Sequence, residues 1–163
     1  MTPAQLTTLG SDIALNIATI GGVQIKDLAH TPDNAFDVAA WYNQTASPDF
    51  WVWRSFVADK DIYSQVSVDG TLWSWTSFIA RSQGERDAWR QMVNTAGGIN
   101  PSLANVRTGI ADIFSGGPGA AQRTHLLALG RRLAKRIEKL LATGTGSTAS
   151  PATMGFEGGV VAS

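Results

Sequence analysis

The sequence has 163 residues, with 44% apolar and 16% charged side chains and a formal net charge of zero. This length predicts one domain with its own core, and the weak repulsion between neutral copies favours self-association. The lack of cysteine excludes disulfides and thiolate zinc sites, and the sequence has neither an apolar run of about 18 residues that could span a bilayer nor the pattern of a signal peptide at its start.

The first part of the chain predicts two helices. The first helix begins after an N-cap at Thr2, with Pro3 in its first position, and apolar residues recur at helical spacing as far as Ile20. A second helix is predicted to be capped by Thr31-Pro32-Asp33 and to run through Asn43.

In the middle of the chain, the apolar residues recur with a weaker period. Residues 49–58 are rich in aromatic side chains, and we predict a short helix or turn there. Residues 62–68 alternate weakly, as a strand would, but nothing nearby supplies a convincing partner strand. Apolar residues spaced by three and four then predict a helix within residues 71–81.

Two further helices follow. Residues Ser82-Gln83-Gly84-Glu85 resemble a capping box and predict a helix through about Asn94, which Gly97-Gly98 ends. Another helix is predicted from residue 100 to about Phe114. The glycines within residues 115–119 break it, and because no Lys-Ser/Thr pair follows them, they are interpreted as a linker rather than a phosphate-binding loop.

The most regular segment, residues 120–142, predicts one long helix in which Leu126, Leu133 and Leu140 recur every seven residues. Gly130 takes the matching earlier position and would permit a close helix crossing, at a helix-propensity cost of about 1 kcal/mol. The basic residues on the opposite arc are candidates for contact with an acidic partner or with DNA: Arg131, Arg132, Lys135, Arg136 and Lys139.

Residues 143–163 are mostly small and polar, without any helical or strand period, and cannot build a core. We therefore predict an all-α fold, with a small helical bundle over 1–142 and an extended C-terminal arm over 143–163. Fully extended, twenty residues reach about 65 Å, so the arm can touch a neighbouring subunit and is expected to be ordered only in an assembly. Its candidate partner-binding residues are apolar: Met154, Phe156, Val160 and Val161.

No catalytic or metal-binding motif appears in the sequence. The two histidines, His30 in a polar turn and His125 at a helix start, lack a second ligand at metal spacing, so we expect solvated or capping roles for them. No serine lies in a nucleophile elbow. The six tryptophans are expected mainly in the core, with some at a subunit interface. We therefore expect no enzymatic activity, cofactor or metal.

Charge is distributed unevenly along the chain. Residues 1–70 carry eight aspartates against three basic residues, whereas residues 123–139 carry six basic residues against one glutamate. This polarity could pair copies head to tail or present one basic face to a polyanion.

Several segments of the second half resemble small structural proteins of long-tailed bacteriophages, namely the neck or head-to-tail connector proteins. These segments are Gln83–Arg90, Gly98–Ser102, Asn105–Ile110 and Ala142–Gly158. The resemblance covers roughly the second half of the chain and contains no catalytic motif.

The resemblance implies a structural virion protein assembled in the host cytoplasm and located in the neck. It would be a helical adaptor that forms a twelve-fold ring beneath the portal, contacts the next neck or tail protein, and lets genomic DNA pass through its centre without sequence recognition. In such adaptors the C-terminal helix and tail dock on the portal, which corresponds here to residues 120–163. The alternative from the residues themselves is a nucleic-acid-binding protein that uses the basic helix 123–139.

Overall fold

The computed structural model describes residues 1–30 and 34–162. In chain order, its elements are α1 (Pro3–Leu15), β1 (Thr19–Ile20), β2 (Val23–Gln24), α2 (Ile25–Leu28), α3 (Ala35–Asn43), β3 (Trp51–Trp53), β4 (Val57–Ala58), α4 (Asp59–Ser64), α5 (Trp75–Ile79), α6 (Gln83–Ala96), β5 (Gly98–Ile99), α7 (Ala104–Ile113), α8 (Gly116–Leu129), β6 (Arg131–Leu133), α9 (Arg136–Leu140), β7 (Ala142–Thr143) and β8 (Thr153–Met154).

The chain forms two compact units. Unit 1 comprises Met1–Val52 and Leu133–Ser163, and unit 2 comprises Trp53–Arg132. Unit 1 therefore contains both ends of the chain, and unit 2 is an insertion within it.

The predicted all-α fold is wrong, because the chain is 51% helical and 13% strand and is a mixed α/β protein. Within the described residues, the strands pair into four small antiparallel sheets: β1 with β2, β3 with β6, β4 with β5, and β7 with β8. Each strand is only two or three residues long, too short for the alternation that identifies a strand in a sequence.

The start of α1 is as predicted, because Thr2 and Gln5 form a reciprocal capping box with Pro3 in the first turn. The predicted continuation to Ile20 is wrong. The helix ends at Leu15, and a hairpin of β1 and β2 follows, in which Ile20 pairs with Val23. Its two turn residues are glycines with positive φ, which suits a tight antiparallel hairpin.

The second predicted helix corresponds to α3, which begins at Ala35 and ends at Asn43 as expected. Its predicted cap, Thr31-Pro32-Asp33, lies outside the described residues.

Residues 49–58 form strands rather than the predicted helix or turn, since β3 and β4 occupy Trp51–Trp53 and Val57–Ala58. Residues 59–64, by contrast, form the short helix α4 where a weak strand was predicted from residue 62. In β4, Val57 pairs with Ile99 of β5, so the partner strand lies far along the chain.

The helix α6 is predicted correctly, with the Ser82 and Glu85 capping box at its start and Gly97 in the left-handed conformation at its end. α7 begins at Ala104, slightly later than predicted. The interpretation of residues 115–119 as a linker is wrong, because Gly116 to Gly119 form the first turn of α8. Pro118 is tolerated there because first-turn amides need no helical acceptor.

The single helix predicted over residues 120–142 is also wrong. α8 ends at Leu129, residues 131–133 form β6, and α9 begins only at Arg136. Backbone hydrogen bonds from strand pairing replace the helical ones, for example from Ala134 N to Phe50 O at 2.8 Å. Tertiary pairing thus overrides a helical apolar pattern.

Each unit has its own core. The core of unit 2 contains the fully buried Trp89, and Trp73 stacks on its ring at a centroid distance of 5.6 Å. Unit 1 has two apolar clusters. The larger one is built from Leu9, Ile25, Leu28, Val38, Tyr42 and Ile137, and the smaller one from Val52, Ala134 and Ala152.

Candidate interaction site

The C-terminal residues lie against unit 1. β7 and β8 form a hairpin in which Ala142 pairs with Met154, and the buried Ala152 also forms a parallel bridge with Val52. Beyond this hairpin, residues 155–162, here called the tail segment, run over the surface of unit 1. The predicted division into a body (1–142) and an extended arm (143–163) stays a prediction.

Three polar side chains hold the main chain of the tail segment, and we call them the tail clamp. Gln5 of α1 donates from Nε2 to Gly155 O at 2.7 Å. Asn43, at the end of α3, donates from Nδ2 to Val160 O and accepts from Val160 N, both at 2.8 Å. The third member, Glu138 of α9, accepts a bond from Gly158 N at 3.1 Å. The clamp thus comes from three helices.

Glu138 is fully buried and also organises α9. Its carboxylate accepts a hydrogen bond from Lys135 N at 2.8 Å, as the third residue of a capping box does. Sequence reasoning missed Glu138, which looked like the lone acid of a basic helix. The spacing of three residues from Lys135 was the available signal, but Lys is not a typical N-cap residue.

Of the four predicted arm residues, three pack on their own chain. Phe156 and Val160 pack on the larger cluster of unit 1, and Met154 packs on the smaller one. Val161, in contrast, is 87% exposed. Val160, Val161 and Ala162 line a small cavity of about 210 Å³ against residues of α1 and α3, so this end of the tail segment leaves space beneath it.

The structure does not bring the five predicted basic residues into one continuous helix. Arg131 and Arg132 belong to unit 2, whereas Lys135, Arg136 and Lys139 belong to unit 1. Arg131 donates from one guanidinium nitrogen to both carboxylate oxygens of Asp69, at 2.5 and 2.6 Å. Its charge is therefore matched by an acid of the same unit.

Two of these basic residues line a larger open groove of about 680 Å³ in unit 1. The guanidinium of Arg136 lies 4.0 Å from the centre of the Trp41 ring and donates to Trp41 O at 3.3 Å. The ammonium of Lys139 lies 5.5 Å from the centre of the Phe50 ring. Such cation–π contacts fix the long side chains while leaving the cationic heads beside the groove.

An acidic network forms another part of this groove. The Tyr42 hydroxyl donates a hydrogen bond to the Asp12 carboxylate, and Asn16 Nδ2 donates to the Tyr42 hydroxyl at 3.2 Å. Burial raises the pKa of Tyr42 well above its ordinary value, and the bond to Asp12 raises it further. Tyr42 therefore stays neutral at physiological pH and acts as a fixed link between α1 and α3.

Two buried polar residues of unit 2 were also missed. His125, expected to be solvated or capping, is fully buried in α8, and its Nε2 lies 3.0 Å from Ile62 O. Gln122, one turn earlier, accepts from Ser74 N at 3.0 Å and donates to Ser74 O at 2.9 Å. Both side chains satisfy backbone groups of neighbouring segments, which is a structural role. His30 is exposed, as predicted.

Many large apolar side chains are exposed. In unit 1 the most exposed are Leu15, Ile17, Phe36 and Val161, each more than 70% accessible. In unit 2, the exposed apolar residues include two of α5 and three that precede it in the chain: Trp75, Ile79, Val66, Val68 and Leu72. Exposed apolar side chains that form a contiguous patch mark a surface that another molecule covers.

No protein-family model, curated protein or solved structure matches this chain. Among the described residues, no group of three or more His, Cys, Asp or Glu side chains is arranged to hold a metal ion. Within the same part of the chain, every helix is too short or too polar to cross a membrane.

Proposed function

We propose that this chain is a structural subunit of the neck of a long-tailed bacteriophage, a head-to-tail connector located in the virion. Its copies form a twelve-fold ring between the portal and the next neck or tail protein, and genomic DNA passes through the ring. The proposal starts from the resemblance of four segments within residues 83–158 to phage neck proteins.

The observation that carries the proposal is the exposed apolar surface on a chain with few charges. Phe36 is 77% exposed, Leu15 79% and Ile17 71%, and unit 2 adds the exposed apolar residues of α5 and those that precede it in the chain. Only 16% of the residues are charged. Protein interfaces are enriched in aromatic and depleted in charged residues at their centres, so this surface suits a subunit that is covered on several sides.

The test is assembly with the neighbouring components. The full chain is co-expressed with the portal protein of a long-tailed bacteriophage, and the complex is measured by mass photometry and imaged by electron microscopy. The proposal predicts a ring bound to the portal. A chain that stays monomeric at every concentration and never associates with the portal would contradict it.

Substitutions of the exposed apolar residues sharpen this test. Phe36→Ser and Ile79→Ser should reduce ring assembly while leaving the folded chain intact, because both side chains are exposed. Thr8→Ser, on the exposed face of α1, is a matched control that should assemble normally. Unchanged assembly in both apolar variants would show that these surfaces are not the interfaces.

The alternative function is nucleic-acid binding by the basic residues, and the Arg136 groove is the observation that favours it. An arginine stacked on Trp41 beside an open groove offers both a cation and an aromatic face to a single strand. This function predicts DNA affinity that falls steeply with salt, and a shallower salt dependence in the Arg136→Glu, Lys139→Glu variant. Affinity that is insensitive to these substitutions would exclude it.

A further inference from the structure

We propose that in the assembled protein the tail segment, residues 155–162, leaves its own unit 1 and binds the same surface on unit 1 of a neighbouring copy. This exchange rests on the proposed function, because it requires copies held side by side. It names the partner of the predicted arm: a second copy of this chain.

The first reason is the chemistry of the tail clamp. Gln5, Asn43 and Glu138 each bind main-chain atoms of the tail segment. An identical segment from another copy presents the same carbonyl and amide groups in the same order. Exchange therefore preserves every hydrogen bond of the clamp, which is the condition under which swapping between copies is inexpensive.

The second reason is the fit of the tail segment to its surface. Phe156 and Val160 pack on the larger cluster of unit 1, but the residues at the end of the segment leave the cavity of about 210 Å³ beneath them, and Val161 is 87% exposed. Phe156 and Val160 are the residues of the tail segment that pack on this cluster. Releasing the segment exposes a small area compared with a core helix or strand.

The third reason lies in the connection to the body. Gly155 follows β8 directly, and a Cβ atom at this position would lie 2.4 Å from Leu141 O, so only glycine allows the chain to leave the hairpin so close to Leu141. Gly158 and Gly159 follow within the segment, and Gly158 has a positive φ of 133°. Glycines widen the set of conformations that the released chain can adopt, so the segment can turn toward another copy at Met154–Gly155.

Whether the tail segment binds its own clamp or that of a neighbouring copy depends on the effective concentration of each clamp. A tail joined by a short linker competes for its own clamp at an effective concentration on the order of millimolar. In a ring, a neighbouring clamp is present at a comparable concentration, and exchange around a closed ring links every subunit to the next. The free monomer keeps its tail, whereas the ring is stabilised by exchanged tails.

Cross-linking tests the exchange on the full chain, which has no cysteine of its own. Ala35 and Ala162 both line the small cavity, so Ala35→Cys and Ala162→Cys place one thiol on the body and one on the tail without altering the clamp. One preparation carries both substitutions. A second mixes chains that each carry one of them. A short bismaleimide then links neighbouring thiols, and denaturing gels separate the products.

Exchange predicts that the double variant is linked within one chain as a monomer, but into a ladder of covalent multimers once assembled. It also predicts heterodimers in the mixture after assembly. Links that stay within one chain in the assembled ring, or thiols that stay unlinked there while the monomer is linked, would overturn the proposal.

A second cysteine pair repeats the test from another position on the body. Ala29 also lines the small cavity, so Ala29→Cys with Ala162→Cys leaves the clamp residues unchanged. This pair should give the same ladder with the bismaleimide. Association with the portal, measured on the same samples, reports on the proposed function separately: a ring that binds the portal but is linked only within chains contradicts exchange alone.

Discussion

The side-chain amide of Asn43 makes two hydrogen bonds to the main chain of Val160, although the two residues are 117 positions apart. It donates to Val160 O and accepts from Val160 N, both at 2.8 Å. This paired contact imitates the hydrogen bonds that a neighbouring strand would make. It ties the end of α3 to the C-terminal tail segment.

Asn43→Asp should weaken this pair of hydrogen bonds. The carboxylate can still accept from Val160 N, but it has no proton to donate and faces Val160 O with a negative charge. We expect a loss of about 1–3 kcal/mol in the free energy of unfolding and faster amide exchange at residues 155–162, measured by urea denaturation and hydrogen–deuterium exchange. Asn105→Asp, on the exposed side of α7, is the control and should change stability by less than about 0.5 kcal/mol. Equal protection of the tail in both variants would contradict the assigned role.

In unit 2, the buried Gln122 makes a comparable pair of hydrogen bonds to the main chain of Ser74. Gln122→Met keeps the length and burial of the side chain but leaves Ser74 N and Ser74 O without these partners. The expected cost is about 1–3 kcal/mol in the free energy of unfolding. Gln91→Met, on the exposed face of α6, serves as the control. If the two variants unfold at the same urea concentration, Gln122 is not needed to satisfy Ser74.

The capping box at the start of α6 predicts a pH dependence. The Ser82 hydroxyl and the Ser82 N–H both donate to the Glu85 carboxylate and hold the pKa of Glu85 below its usual value. A carboxyl group whose pKa is lowered by folding stabilises the protein above its unfolded pKa of about 4.3, and this contribution is lost as the pH falls through the lower folded pKa.

Urea denaturation between about pH 3 and pH 7 measures this effect. The difference in stability between the natural chain and Glu85→Gln should be largest at neutral pH and shrink as the pH falls. Ser82→Ala removes the hydroxyl that caps α6 and should cost about 0.5–2 kcal/mol at neutral pH. A stability difference for Glu85→Gln that does not change with pH would show that the carboxylate charge has no part in the cap.

Local features of the fold could be predicted from the sequence. The sequence predicts an N-cap at Thr2 from the Pro3 that follows it and an N-cap at Ser82 from Glu85 three residues later. It predicts a helix end from the Gly97-Gly98 pair. These signals are contained in a few consecutive residues. They can therefore be recognised without knowledge of the rest of the chain.

The sheets and the candidate site could not be predicted in this way. Val57 pairs with Ile99, and the amide of Asn43 binds residues at the other end of the chain. Strands of two or three residues carry no period, and an asparagine that will bind a distant backbone looks like any polar surface residue. The four arm residues were identified as binding residues from their apolar character, but the main-chain contacts that hold the tail segment leave no signature in its sequence.

The broken helix around Gly130 leads to a last prediction. The sequence suggested that this glycine permits a close helix crossing, and the structure shows a close approach to Pro101 instead. A Cβ atom at Gly130 would lie 2.8 Å from Pro101 Cβ and 2.9 Å from its Cγ. Gly130→Ala should therefore destabilise the protein by about 1–3 kcal/mol through overpacking, although alanine favours helix.

Gly10→Ala is the matched control, because Gly10 lies within α1 and a Cβ atom there would meet nothing within 4 Å. This variant should gain up to about 1 kcal/mol from the higher helix propensity of alanine. The two substitutions are chemically identical, so their opposite signs in urea denaturation would isolate the contact with Pro101. A gain in stability for Gly130→Ala would mean that residues 129–131 can relax, and that helix propensity rather than packing decides where α8 ends.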